Sequence, residues 1–125
     1  MYRSTIIQTV LKSSLVFLLL DGIYLYSMRK YFNDQVKRIQ GSPIRLNAVG
    51  TILTYVFLLF GLNYFILSPK KSVIDAFLFG IVVYAVYEFT TYSLFSGWKW
   101  TTVLMDTLWG GILFSLTTYI VYRLG

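Results

Sequence analysis

The run V-L-M-D-T-L-W-G-G-I-L-F, residues 103–114, decides which kind of fold this sequence can form. It is mainly apolar, with a single ionisable side chain, Asp106, set inside it. A charged side chain at the centre of a lipid-facing helix costs about 2.5–3.5 kcal/mol on insertion scales. The fold must therefore offer Asp106 a polar interior, and the rest of the sequence shows where that interior can come from.

The composition is typical of a membrane protein. Of 125 residues, 57% are hydrophobic and 13% are charged, whereas about 25% are charged in an ordinary soluble domain. A bilayer core about 30 Å thick needs about 20 apolar residues per helix. Four such stretches fit the sequence, at about 6–28, 47–67, 73–95 and 101–122. They predict one transmembrane domain over residues 1–125 and leave no room within this sequence for a soluble catalytic domain.

The segments between these stretches predict the topology. The links at 68–72 and 96–100 are short, as expected between antiparallel neighbours. The link at 29–45 is longer, carries five basic residues and one acid, and has apolar residues at helical spacing. The sequence therefore predicts an all-α integral membrane bundle of four transmembrane helices, up-down-up-down, with a short amphipathic interfacial segment between helices 1 and 2.

Basic residues occur at both predicted membrane faces. The face with the termini has five: Arg3, Lys12, Lys70, Lys71 and Arg123. The face with the long link has six: Arg29, Lys30, Lys37, Arg38, Arg45 and Lys99. Because the two faces carry five and six basic residues, their charge leaves the orientation open, and insertion in both orientations is included. The dense charge of the long link favours placing that link in the cytoplasm. Because the charge is split between two faces, nucleic acid is not an expected partner.

The long link is expected to meet anionic lipid headgroups. Each basic residue near such a surface contributes about 1 kcal/mol of attraction. The headgroup candidates are Arg29, Lys30, Lys37 and Arg38. A solvated basic loop without a specific lipid is the alternative.

Cysteine and histidine are both absent from the sequence. Zinc and haem ligands, thiol nucleophiles, disulfides and the usual general base are therefore missing. We expect neither a metal nor a cofactor.

Three acids are predicted to lie in one layer of the bundle. Asp21 and Glu88 come late in the first and third helices, and Asp106 comes early in the fourth. At 1.5 Å per residue, all three lie about 7–11 Å from the same end of their helices. Polar side chains at helical spacing share this depth, so the candidates for ligand or proton binding are Asp21, Glu88, Asp106, Tyr24, Asn47, Thr51, Tyr55, Tyr84, Thr91 and Trp109.

These side chains can converge on a polar pocket that opens toward the face with the long link. Gly22, Gly110 and Gly111 would let the helix backbones approach closely around it. Carboxyls that face each other away from water are expected to hold at least one proton near neutral pH and to titrate as a unit. Arg45 and Lys99, at the ends of the second and fourth helices, are the counter-ion candidates.

The alternative interpretation of the same residues is structural. Acids, threonines and tyrosines inside a bundle can serve only as interhelical hydrogen bonds, worth about 0.6 kcal/mol each. Trp98 and Trp100 flank a turn where residues of the interfacial aromatic belt are expected.

Four motifs resemble the small membrane proteins called domain of unknown function 2177. They are D-G-I-Y-L at 21–25, Y-A-V-Y-E-F-T-T at 84–91, G-W-K-W at 97–100 and D-T-L-W-G at 106–110. The resemblance covers nearly the whole chain. Tyr24, Glu88 and Thr91 stand where that family usually has Trp, Asp and Asn. The resemblance implies the membrane architecture and the same choice of residues, and it implies no activity.

Three classes of function follow. The expected one is a small multi-pass membrane protein whose buried carboxylate cluster is a protonatable binding or transport site for a small or amphipathic ligand. The first alternative is a structural or assembly protein without a ligand, for example a homo-oligomer. The second is an intramembrane enzyme in which two acids activate water on a lipid or peptide, although the G-x-G-D motif of intramembrane aspartyl proteases is absent. Catalytic residues are not identifiable on this alternative.

Overall fold

The computed structural model describes residues 2–125, with side chains from Thr5 onward. The side chain of Arg3, counted above among the basic residues, lies outside the described residues. The regular elements of the described part are all helical, namely α1 (Tyr2–Ser27), α2 (Arg29–Gln40), α3 (Ala48–Leu62), α4 (Val73–Leu94) and α5 (Trp100–Leu124). A π-helical turn, Asn63–Leu67, continues α3.

Four of these helical segments are long and apolar enough to cross a membrane. They are Thr5–Ser27, Ala48–Leu67, Val73–Leu94 and Trp100–Leu124. The predicted all-α fold with four membrane-spanning helices is therefore confirmed. The predicted boundaries agree with these segments to within two residues at each end, and the π-helical turn was not predicted.

Helix α5 is the central helix of the bundle. In the most apolar 18 residues of α5, 44% of the residues are buried, whereas 17% are buried in the corresponding part of each of the other three membrane spans. The ring of Phe114, halfway along α5, packs edge-to-face on Phe17 of α1 at 5.4 Å and on Phe79 of α4 at 5.6 Å between ring centres. The apolar core therefore surrounds α5, and the other helices keep large lipid-facing surfaces.

Helices α4 and α5 pack closely because glycines lie at their contact. A Cβ atom added to Gly80 would collide with the backbone oxygen of Gly110 and lie 2.9 Å from the Cβ of Phe114. A Cβ added to Gly110 would overlap the ring of Tyr84. Small residues at such a contact allow two backbones to approach in lipid.

Two of the three predicted contact glycines lie at helix contacts, and one does not. A Cβ on Gly111 would lie 2.8 Å from the side chains of Phe77 and Ile81, so the expectation for Gly110 and Gly111 is confirmed. The expectation for Gly22 is wrong. This residue is exposed, and a Cβ there would meet nothing within 4 Å, because Gly22 lies on the outer face of α1.

Contacts between α1 and α5 run in opposite sequence order. The pairs are Tyr24 with Asp106, Asp21 with Trp109, and Phe17 with Phe114. These two helices are therefore antiparallel. The full up-down-up-down order of membrane crossing stays a prediction.

The predicted amphipathic segment is helix α2. It ends at Gly41, whose φ of 79° is the left-handed conformation that glycine adopts readily. Its apolar side lies against the turn between α4 and α5, where a Cβ on Gly97 would lie 2.6 Å from the side chain of Ile39. Its basic residues are exposed.

Gln35 fastens α2 to the first turn of α5. Its side chain is fully buried, and its Oε1 accepts hydrogen bonds from the backbone N–H of Lys99 at 2.8 Å and the hydroxyl of Thr102 at 3.0 Å. Lys99 is the N-cap residue of α5, and its own side chain makes no capping hydrogen bond. The amide oxygen of Gln35 thus satisfies, from another helix, one of the backbone N–H groups that have no partner within α5.

Replacing Gln35 with alanine is expected to loosen α2. A buried donor left without an acceptor costs about 1–3 kcal/mol, so trypsin should cleave at Lys37 and Arg38 roughly tenfold faster in lipid nanodiscs. The control is Asp34→Ala, because the Asp34 side chain is exposed and forms no hydrogen bond or ion pair with any other described residue. Equal cleavage rates for the two variants would show that Gln35 does not hold α2.

Candidate carboxyl site

The three predicted acids come together from three different helices. Asp21, Glu88 and Asp106 are buried, with 5%, 1% and 8% of their surface exposed. The carboxyls of Glu88 and Asp106 lie within hydrogen-bonding reach of each other. A cluster of carboxyls therefore occupies the interior of the bundle.

Asp21 is satisfied at both oxygens. The hydroxyl of Tyr55 on α3 donates to its Oδ2, and the indole N–H of Trp109 on α5 donates to its Oδ1 at 3.0 Å. Hydrogen bonds to a carboxylate are about twice as strong as those between neutral groups. Asp21 is thus held by donors from two other helices.

Asp106 is linked to Asp21 through a pair of stacked rings. The hydroxyl of Tyr24 on α1 donates to Oδ1 of Asp106 at 2.6 Å. The Tyr24 ring stacks on Trp109 with 4.5 Å between ring centres and 5° between the planes. The predicted residues Tyr24, Tyr55 and Trp109 therefore all contact the acids.

Glu88 differs from the other two acids because one of its oxygens is fully buried and still has no hydrogen-bond donor among the described residues. The indole N–H of Trp98 donates to its Oε1 at 3.0 Å. Oε2 is buried without a hydrogen-bond donor among the described residues, and the carboxyl of Asp106 lies within hydrogen-bonding reach of the Glu88 carboxyl. Two ionised carboxylates have no proton to donate, so a hydrogen bond between Glu88 and Asp106 requires a proton on one of them.

Tyr84 lies beside the cluster with an unused hydroxyl. Its ring packs on Phe114 at 6.3 Å between ring centres and lies against Gly110, one turn after Asp106 on α5. This hydroxyl forms no hydrogen bond within the part of the chain that the structure describes.

Three other predicted residues form no hydrogen bond to an acid within residues 5–125. Asn47 is exposed and caps α3, accepting from the backbone N–H of Gly50 at 2.9 Å. The hydroxyl of Thr91 donates to the backbone carbonyl of Tyr87 at 3.0 Å, within α4. The half-buried side chain of Thr51 makes no hydrogen bond. On α3, only the longer side chain of Tyr55 reaches the cluster.

Neither counter-ion candidate forms an ion pair with a carboxylate among the described residues. Arg45 is exposed in the link before α3. The ammonium of Lys99 lies 5.5 Å from the centre of the Tyr31 ring instead. Both residues precede a helix, where a long side chain can extend toward water, and hydroxyl and indole donors surround the acids in their place.

The four headgroup candidates, Arg29, Lys30, Lys37 and Arg38, are all exposed on α2. The guanidinium of Arg29 lies 3.9 Å from the centre of the Tyr26 ring and donates to the Tyr26 carbonyl at 2.6 Å. Binding of these side chains to anionic lipid stays a prediction.

Sequence reasoning missed the role of Trp98. It was expected in the interfacial belt, but it is half-buried and turned toward Glu88. The sequence feature that could have indicated this contact is the position of Trp98 in the short turn that joins the helices carrying Glu88 and Asp106.

A second polar contact was also missed. The amide of Asn63 donates to the hydroxyl of Ser13 at 3.0 Å, and Ser13 is fully buried. The sequence feature that could have shown it is Asn63, an amide side chain deep inside the apolar stretch 47–67, whose other amide, Asn47, is its first residue. This contact lies about 12 Å along α1 from Asp21, so it is separate from the carboxyl cluster.

Comparison with known proteins agrees with the architecture. No curated protein and no solved structure matches the chain. One family model matches residues 6–123, and its description is predicted membrane protein (DUF2177). The match confirms the resemblance seen in the four sequence motifs. This multi-pass membrane protein belongs to the DUF2177 family, a family of unknown function.

Proposed function

We propose that Glu88 and Asp106, with Asp21 beside them, form a protonatable binding or transport site for a small or amphipathic ligand in the membrane. One observation carries this proposal: Oε2 of Glu88 is buried without a donor among the described residues, in a carboxyl that lies within hydrogen-bonding reach of Asp106. Either a proton or a cationic group can neutralise this position. Competition between the two would couple ligand binding to proton release.

The three acids have different roles in this proposal. Both oxygens of Asp21 already accept hydrogen bonds, so Asp21 positions Tyr55 and Trp109 and adds negative charge. Glu88 keeps an oxygen for exchange between a proton and a ligand. Such intramembrane acids typically mark proton or ion pathways.

The test is infrared difference spectroscopy of the purified protein in detergent. At pH 7 the wild type should show the C=O band of a protonated carboxyl, and the band should fall as pH rises and the shared proton is lost. Glu88→Gln and Asp106→Asn should each remove the band, since each leaves one acid without its carboxyl partner. Asp75→Asn is the control, because Asp75 is exposed in the first turn of α4.

The absence of a protonated-carboxyl band at pH 7 in the wild type would contradict the proposal. The same conclusion would follow if Asp75→Asn removed the band as completely as Glu88→Gln. A protein that unfolds on substitution is recognised by its elution in size-exclusion chromatography, so loss of structure is separated from loss of the proton.

A scaffold function is the second candidate, and the contacts of Asp21 favour it. This side chain joins α1 to α3 and α5, as an acid with a purely structural role would do. A scaffold should stay assembled in Glu88→Gln and Asp106→Asn. If those variants also leave ligand binding and its pH dependence unchanged, the protein acts as a scaffold and the carboxyl cluster is not a binding site.

A further inference from the structure

Helix α2 packs against the end of the bundle that lies nearest the carboxyl site. Its inner side carries Phe32, Gln35 and Ile39 at helical spacing, and its basic residues are exposed. The ring of Phe32 lies 6.1 Å from the ring of Tyr24 between ring centres. The hydroxyl of Tyr24 in turn donates to Asp106. Helix α2 therefore contacts a side chain that binds one of the acids.

A second set of contacts connects α2 to Glu88 through the turn between α4 and α5. The side chain of Gln35 accepts a hydrogen bond from the backbone N–H of Lys99 at 2.8 Å. The preceding residue of the turn is Trp98, whose indole N–H donates to Glu88 at 3.0 Å. Glu88 and Asp106, the two acids within hydrogen-bonding reach of each other, are thus each connected to α2 by short contacts.

The present position of α2 leaves buried polar atoms without partners. Nε2 of Gln35 and Oε2 of Glu88 are both buried, and neither forms a hydrogen bond within residues 5–125. Such an atom is destabilising, because it has lost its hydrogen bonds to water and gained none in return. Water admitted by an outward movement of α2 would restore the hydrogen bonds of Gln35, so hydration opposes the closed packing of this helix.

The connections at both ends of α2 allow such a movement. One residue, Met28, separates α2 from α1, and its φ of −102° and ψ of 7° are not helical. At the other end, residues 41–47 form neither helix nor strand before α3 begins at Ala48. A hinge needs only a few residues at the ends of an element, and α2 has such residues on both sides.

We propose that α2 is a lid that controls the access of water and protons to the carboxyl site from this face of the membrane. All three acids lie about 9 Å from the helix ends at this face. The opposite face is farther away, because the spans have 20–25 residues. The inference rests on the proposed function, since a protonatable site must exchange its proton with water, and it specifies where that exchange is controlled.

A disulfide between positions 39 and 97 tests the lid directly. A Cβ at Gly97 would lie 3.8 Å from the Cβ of Ile39, which is close to the mean spacing in disulfides, and the sequence contains no other cysteine. The measurement is the rate at which the infrared band of the protonated carboxyl shifts after nanodiscs are moved from H2O to D2O buffer. The oxidised Ile39→Cys/Gly97→Cys protein should exchange about tenfold or more slowly than the same protein after reduction.

A loosened lid should have the opposite effect. Gln35→Ala removes the hydrogen bonds that hold α2 to the first turn of α5, so its carboxyl proton should exchange severalfold faster than that of the wild type. Asp34→Ala is again the matched control, because Asp34 is exposed on the same helix. Its exchange rate should equal that of the wild type.

Three results would overturn the lid. Equal exchange rates in the oxidised and reduced double variant would show that protons reach the acids by another route. An unchanged rate in Gln35→Ala, in protein whose α2 is cleaved faster by trypsin, would have the same meaning. Failure of the two cysteines to form a disulfide would contradict the closed packing of α2. A wild type without the protonated-carboxyl band would refute the proposed function and the lid with it, whereas a normal band with lock-independent exchange refutes the lid alone.

Discussion

Replacing Gly110 with leucine should lower the midpoint of thermal unfolding in detergent by about 10 °C or more. A Cβ at this position would overlap the Tyr84 ring, and the backbone of α4 at Gly80 lies directly opposite. Overpacking typically costs about 1–3 kcal/mol, which corresponds to several degrees or more in a domain of this size. Close packing matters especially in lipid, where no hydrophobic effect drives helices together.

The midpoint is best measured by heating the protein and recording the monodisperse fraction in size-exclusion chromatography, because membrane helices keep their secondary structure when they separate. Gly22→Leu is the matched control, since a Cβ at Gly22 meets nothing within 4 Å. Its midpoint should match that of the wild type. If the midpoint falls equally in Gly110→Leu and Gly22→Leu, overpacking of the α4–α5 contact is not the cause of the lost stability.

The second large effect is expected for Asp21→Leu. The substitution leaves the hydroxyl of Tyr55 and the indole N–H of Trp109 without their acceptor. Each buried donor without a partner costs about 1–3 kcal/mol. Leucine is also easier to insert into a membrane than aspartate, so the amount of inserted protein should not fall. The variant should reach the membrane normally and unfold about 10 °C below the wild type.

The Asp21→Asn variant separates the acceptor from the charge. Asparagine keeps one acceptor oxygen, but its NH2 group faces one of the two donors, so an intermediate midpoint is expected. A midpoint for Asp21→Asn as low as that for Asp21→Leu would show that the negative charge, and not the number of acceptors, holds α1 in place. A wild-type midpoint for Asp21→Leu would contradict any stabilising role of these hydrogen bonds.

The membrane-spanning helices could be predicted because the bilayer allows few alternatives. A chain in lipid must satisfy its backbone internally, so each apolar stretch of about 20 residues has to be a helix. The π-helical turn at Asn63–Leu67 could not be found in this way. The turn begins at Asn63, whose side chain meets Ser13 fifty residues away in sequence, a contact that no local sequence pattern predicts.

The depth of the acids could be predicted, whereas their partners could not. Depth follows from counting residues along each helix, and the cost of a charge in lipid directs Asp21 and Asp106 inward. The rotation of each helix and the reach of each side chain depend on packing. For this reason Tyr55 contacts an acid while Thr51, one turn earlier on α3, makes no such hydrogen bond.

The central position of α5 has a consequence for how the protein is made. Asp21 and Tyr24 find partners on α5 that lie 88 and 82 positions later in the chain. At a synthesis rate of about 5–20 residues per second, Asp21 is translated roughly 4–18 s before Trp109. During this interval the carboxyl of Asp21 lacks its donor on α5. We therefore expect α1 to insert less favourably in chains truncated before Trp109 than in the full chain, because a charged side chain without partners is costly in lipid.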